Sequence, residues 1–290
     1  MATGTFPTAT ETATTLAAYI PEVWSSKMNE FYREKLIAGK FFTDLSDELT
    51  QGGDILHIPS VSEMTAHAFG NSGAYDTAVT LNNPTETTVD LTVTTDYECS
   101  FNIPRAISAQ VLNKYSIQER YAKGCSYAVG KVYEQAILDL FPSFSQTTGS
   151  SAAVMLDSNI RKAIQYLDEA LAPQENRAFF VTPKQMWTDL MAIDRFTLVD
   201  NTPAGDPVNK GAVGKLYGYD VYVSELIGST NGSANSCFAQ ADAIVHASTV
   251  MAVDSNYIPE YLSVLTTAEV VYGVKENRDT SGVWIKTADA

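Results

Sequence analysis

Clustered positive charge is what this sequence most lacks. Its 19 Lys and Arg stand against 34 Asp and Glu, a formal net charge of -15, and no stretch gathers the cations into a patch. Grip on a phosphate backbone comes from clustered Lys and Arg that release counterions, so a nucleic-acid reader is disfavoured. Cysteine is scarce as well. Cys99, Cys125 and Cys237 are odd in number and far apart, without the paired spacing of a zinc site or redox motif, which suits a reducing cytoplasm and buried free thiols. No apolar run is long enough to span a membrane, and Met1 to Thr15 has neither the basic start nor the apolar core of a signal peptide. Secretion and membrane insertion are therefore not expected.

Catalytic signatures are missing too. Gly211 to Leu216 resembles the end of a phosphate-binding loop, but Asn209 stands where a glycine is needed and Leu216 where the magnesium-binding hydroxyl belongs, so a glycine-rich turn before a strand is the better reading. His57 and His67 lie near Glu63, yet nothing in the spacing fixes the geometry of a metal site. His246 sits in the apolar run Ala243 to Ala247 and reads as a satisfied interior or interface histidine rather than a catalytic base. Carboxylate pairs such as Asp96 with Glu98, or Asp168 with Glu169, decorate any acidic surface. The sequence thus yields no catalytic residue, no cofactor site and no metal site, and the chain is read as a non-enzyme.

What is present is a set of extended elements. Between Gly52 and Arg105, Asp54 to Val61 and Thr87 to Thr94 are β-rich, and Asn71-Ser72-Gly73 and Asn82-Asn83-Pro84 supply turn chemistry between them, the pattern of a long two-stranded arm. Two strands alone are marginal in water, so the arm needs cover, and the expected cover is another copy of the chain. Ten carboxylates fall between Phe41 and Asn113 against Arg105 alone, which serves either a basic partner or simple solubility. Ala17 to Ile37 carries a helical stripe, Ile20, Val23, Trp24, Met28, Phe31, Tyr32 and Leu36. A second begins at the capping box Ser116 to Glu119 and runs through Ile117, Tyr121, Cys125, Ala128, Val132, Ala136 and Leu140 until Pro142, a spine of roughly 37 Å. Phe144 to Ser151 reads as a linker and domain boundary. Beyond it come a helix from Ile160 to Leu171, a strand Arg177 to Val181, a helix opened by Thr182-Pro183 over Lys184 to Asp194, and a strand Tyr219 to Ser224. Gly228 to Ser236 reads as a flexible surface loop, and Tyr261 to Val274 and Gly282 to Lys286 read as strands joined at Asn277 to Thr280.

This order resembles the major capsid proteins of tailed bacteriophages, whose fold also forms encapsulin shells and the herpesvirus capsid floor. Arg177-Ala178-Phe179-Phe180-Val181-Thr182-Pro183 through Leu190 looks like the family's strand followed by a helix opening Asn/Thr-Pro. Gly214 to Ser224 looks like its glycine turn, strand and trailing Ser, and Tyr272-Gly273-Val274 to Arg278 with Gly282-Val283 is similar. The resemblance implies an α+β fold with an N-terminal arm (1–16), an amphipathic helix and entry to the arm (17–50), an extended β-hairpin loop (51–106), and a long spine helix with part of the peripheral domain (107–150). It further implies a peripheral and axial α/β core (151–200), an axial domain (201–250) and C-terminal strands completing the peripheral domain (251–290). The function it implies is a virion structural protein that self-assembles as pentamers and hexamers into an icosahedral shell around double-stranded DNA, bound without sequence specificity, with assembly in the host cytoplasm. An encapsulin-type compartment is the alternative. Phe69 and Tyr75, at the expected loop tip, are candidate contacts to a neighbouring subunit. With no lysine between Lys40 and Lys114, an isopeptide weld from the loop is not expected, and the short stretch before the first helix implies a separate scaffolding protein or prior cleavage, beside a portal.

Overall fold

The computed structural model describes residues 33–49, 53–68, 79–106, 117–193 and 212–288. In chain order the elements are α1 (Ala38–Phe41), β1 (Thr43–Asp44), β2 (Ile55–Val61), β3 (Glu86–Thr92), β4 (Thr95–Pro104), α2 (Ile117–Leu138), β5 (Thr147–Gly149), α3 (Asp157–Glu169) and β6 (Arg177–Val181). After a short helical stretch follow β7 (Ala212–Leu216), β8 (Tyr219–Val223), β9 (Ser229–Thr230), β10 (Ser233–Gln240), β11 (Ile244–Ile258), β12 (Ser263–Glu276) and β13 (Gly282–Ala288).

Among the described residues three sheets result. One runs β1-β11-β12-β4, the second β5-β13-β10-β6-β8-β7 with β9 alongside β10, and the third is the β2-β3 hairpin alone. The first two are joined twice at one place: β10 passes into β11 through Ala241–Ala243, and β12 returns toward β13 through Asn277 and Arg278, whose N–H groups both donate to the Ala243 carbonyl at 2.9 and 3.2 Å.

Arg177–Val181 forms a central strand because its apolar side chains alternate between two cores. Phe180 faces one core with Tyr133, Ile137, Phe141, Phe144 and Val270 under α2, while Phe179 and Val181 face the other with Ile160, Leu167, Val221 and Ile285 under α3. β10 does the same, sending Cys237 and Ala239 one way and Phe238 the other, where it stacks on Phe179 with ring centroids 4.1 Å apart. Burying each such aromatic contributes roughly 1.5–3 kcal/mol.

Several expectations need correction. Ser233 to Ser236 is no surface loop but the buried start of β10, paired with β13 throughout and with β9 at Ser233 and Ala234. Its polar side chains bond internally: Ser233 Oγ donates to Thr287 O, Asn235 Nδ2 to Thr230 Oγ1, and Ser236 Oγ to Gln185 Oε1, while Asn235 Oδ1 is buried without a partner among the described residues. Within the expected linker, Phe144 is buried and Thr147–Gly149 pairs parallel with β13. The helix opened by Thr182-Pro183 contains a π turn, Gln185–Asp189, then a tight turn, Leu190–Ala192. The arm is shorter than fifty residues of paired strand, since Thr95–Pro104 leaves the hairpin and joins β12 from Ser263↔Pro104 to Tyr272↔Thr95. The buried stripe of α2 is Cys125, Val129, Tyr133 and Ile137, one position round from the expected Ala128, Val132 and Ala136, because Tyr133 and Glu134 are interior. Leu171 is exposed rather than the last core residue of α3. Of the expected helix 17–37, residues 33–37 lack helical structure and the rest lies outside the described residues, as does Ser116.

Candidate functional site

The residues that read as chemical candidates are engaged elsewhere. His57 faces Asp90 across the hairpin, Nδ1 to Oδ1 at 2.6 Å, and His67 Nε2 lies 3.1 Å from Asn82 Oδ1. Among the described residues no group of three His, Cys, Asp or Glu is arranged to hold a metal ion. His246 is interior, with Tyr133 Oη 2.5 Å from Nδ1 and the Asp44 carboxylate at 3.8 Å. Burial holds its pKa below the ordinary value, with Asp44 pulling the other way. Ala212–Leu216 of the phosphate-loop lookalike is strand β7, paired to β8.

A cavity of about 510 Å³ opens between Lys40, Gln174, Asn176, Arg177, Asp220 and Tyr222. Its strongest cation is already used. The fully covered Arg177 guanidinium donates to the Pro173 and Ala172 carbonyls and to Asp168 Oδ1 at 2.7 Å, and it lies over the Tyr219 ring. Asp220 faces Lys215 at 3.6 Å, and burial raises the Tyr222 pKa, which keeps that phenol protonated. These groups build structure around the cavity; they do not form a nucleophile with a base beside it.

The distinctive geometry is at the surface. β2 and β3 pair antiparallel from Ile55↔Thr92 to Val61↔Glu86, and no other described strand joins either outer edge. Among the described residues the hairpin is fastened at its root. Leu91 and Val93 are buried with Leu49, Val245 and Ala247, Leu56 and Ile58 pack onto them, and Val93 N donates to Asp54 O at 2.7 Å. Past that root the apolar side chains lie bare: Val61 is 65% and Leu81 84% exposed, and Met64 and Val79 are exposed as well, as is Ile55 beside the root. Ser62 N donates to Thr85 O, and Asn82 Nδ2 to Thr65 O at 2.7 Å, holding the two limbs together beyond the strands. Phe69 and Tyr75 lie outside the described residues. A second bare region is the end of the long sheet, where Val253, Tyr257, Tyr261 and Leu262 are exposed and the Arg105 guanidinium sits over the Tyr257 ring.

A third feature escaped the sequence reading. Residues 33–42 cross α2 as a strap, and Glu134 fastens them: one carboxylate oxygen accepts from Ile37 N at 2.6 Å and Ala38 N at 2.5 Å, the other from Gly39 N at 3.1 Å. Glu34 N donates to Tyr127 Oη, and Glu34 Oε1 accepts from Glu225 N. Leu36 fits over Gly130, where an added Cβ would stand 2.9 Å from its Cδ1. No signal for it stands in the sequence, because the stripe expected through Ala128, Val132 and Ala136 puts Glu134 on the outer face of α2.

No family model matches the chain, and none of the curated proteins does. Solved structures do. A Mycobacterium phage Che8 structure is 21% identical over 92% of this chain and 97% of its own, with a TM-score of 0.75. The capsid structure of cyanophage P-SCSP1u is 14% identical over 99% and 100%, TM-score 0.70, and the mature capsid of bacteriophage PhiM1 is 11% identical over 93% of each chain, TM-score 0.70. Architecture is thus shared along nearly the whole length at low sequence identity. The chain has the α+β fold of these phage capsid structures.

Proposed function

We propose that this chain is a major capsid protein of tailed-bacteriophage type, which self-assembles as pentamers and hexamers into an icosahedral shell around double-stranded DNA. The observation that carries the reading is the hairpin: two strands with both outer edges unpaired by any described strand and bare apolar side chains beyond their root. Such an element is an aggregation hazard on a monomer and a docking element in a lattice. The chains of similar fold come from phage capsid structures and from the capsid of a gene transfer agent particle, which favours a capsid over a compartment of encapsulin type.

In this reading residues 51–106 reach over a neighbouring subunit, with Phe69 and Tyr75 as contacts near the tip, 107–150 supply the spine of the peripheral domain, and 201–250 surround the capsomer axes. A net charge of -15 suits a wall that does not grip its contents, leaving packaged DNA free to leave. A separate scaffolding protein and a portal complete the partners, and assembly takes place in the host cytoplasm before the chain becomes part of the virion. Shell stability comes from many modest contacts made together.

Sedimentation velocity with negative-stain imaging of the full chain, across protein concentration and salt, tests the proposal. Rings or closed particles are expected, and a monomer under every condition overturns it. Leu81→Asp changes an exposed side chain and is expected to leave subunit stability within about 0.5 kcal/mol while suppressing particles.

A further inference from the structure

Two of the three thiols meet across a layer. Cys99 lies on β4 opposite Ala268 of β12, and its side chain packs against the core that contains Cys125 of α2. The neighbouring contact fixes the register: the Phe101 ring meets the Tyr121 ring edge-on, centroids 5.6 Å apart at 78°. Phe101 and Cys99 are two apart on a strand and so share a face, one step of about 6.8 Å. Tyr121 and Cys125 are four apart on a helix and share a face, one step of about 6.0 Å. The steps nearly match, so moving one position from the aromatic contact brings Cys99 against Cys125.

We propose that Cys99 and Cys125 are an oxidisable pair whose disulfide clamps β4 to α2 within one chain. Cys125 is 8% exposed and Cys99 half-buried, so a small oxidant reaches Cys99 first, while Cys237 is fully buried. With glutathione disulfide, the Cys99 thiolate attacks one sulfur and releases a glutathione thiolate. Cys125 then loses its proton to solvent, and its thiolate attacks the Cys99 sulfur and expels the second glutathione. Two protein thiols are oxidised and one glutathione disulfide is reduced. Burial, and after it the adjacent Cys99 thiol, push the Cys125 thiol up to about 11, so closure is slow at neutral pH and speeds about tenfold per pH unit below that value. The clamp stays open in a reducing compartment and closes on release into an oxidising one. It is internal to the subunit and does not rest on the shell reading.

The test is a peptide map of the native full chain after incubation with glutathione disulfide at pH 8.5, against a dithiothreitol control. The expected result is a Cys99–Cys125 linked peptide, with two of the three thiols lost and Cys237 still free. Three intact thiols, interchain dimers, or a Cys99 adduct beside a free Cys125 thiol overturn the proposal. Cys125→Ser is expected to stop at the Cys99–glutathione adduct, and a variant that forms none contradicts the assigned order of attack.

Discussion

Glu134 shows how one side chain decides where a segment lies. Its carboxylate is buried yet accepts three backbone N–H bonds from Ile37, Ala38 and Gly39, which satisfies both the charge and the donors that open α1. Glu134→Ala removes all three acceptors at once, and a loss of about 2–4 kcal/mol is expected, read as a lower urea midpoint with faster amide exchange at residues 37–39. His246 gives a pH signature. Its pKa is lowered in the folded chain because burial disfavours the charged ring, against Asp44 and the Phe42 and Gly39 carbonyls, which raise it, and Tyr133, which bonds Nδ1. The unfolded chain then binds the proton more readily, so the stability from a neutral His246 is complete above the ordinary value of 6.5 and is lost as pH falls below it toward the lower folded value. The stability advantage of wild type over His246→Gln should narrow between pH 7.5 and 5.5; a gap that widens on acidification would mean that Asp44 outweighs burial.

At the scale of elements, two glycines at close approaches predict opposite results. A Cβ on Gly273 would stand 2.2 Å from the Thr92 carbonyl oxygen, where the hairpin root crosses β12, and backbone cannot yield as a side chain does. Gly273→Ala is expected to cost about 3 kcal/mol and to loosen residues 86–93 from the sheet. On Gly130 the obstacle is the end of the Leu36 side chain, which can turn away, and helix propensity returns up to about 1 kcal/mol, so Gly130→Ala should leave the urea midpoint nearly unchanged. The same elements show what can be read from sequence. β6 and β8 are legible because short apolar runs sit between strong turn and cap signals, and α2 because its stripe repeats over six turns. β10 is not, because Ser233 and Ser236 read as loop residues until Thr287 and Gln185 supply their partners from distant sequence, and Asn235 finds Thr230 only once β9 lies alongside β10. β4 alternates like the hairpin before it, and only pairing with β12 separates the two. Hairpin exposure was legible from its pattern, whereas the Glu134 strap was not, since a glutamate on a helix reads as a solvated charge.

For the whole molecule, a single subunit is unfinished. Two sheets and two helices close their own cores, but the hairpin and the end of the long sheet leave apolar side chains and strand edges that no described residue covers. Local signals in the sequence give the order of the parts, and the fold shared with phage capsid chains at no more than 21% identity among the structures compared reflects that order rather than particular residues. The most direct measurement is amide hydrogen exchange over residues 55–61 and 86–92 in the dissociated subunit and in the sedimented assembly. Rapid exchange is expected in the free subunit and slowing of about tenfold or more in the assembly, each tenfold corresponding to about 1.4 kcal/mol of added protection, with β10 unchanged. Equal exchange in both states would contradict it, because the hairpin would then gain no cover from its neighbours.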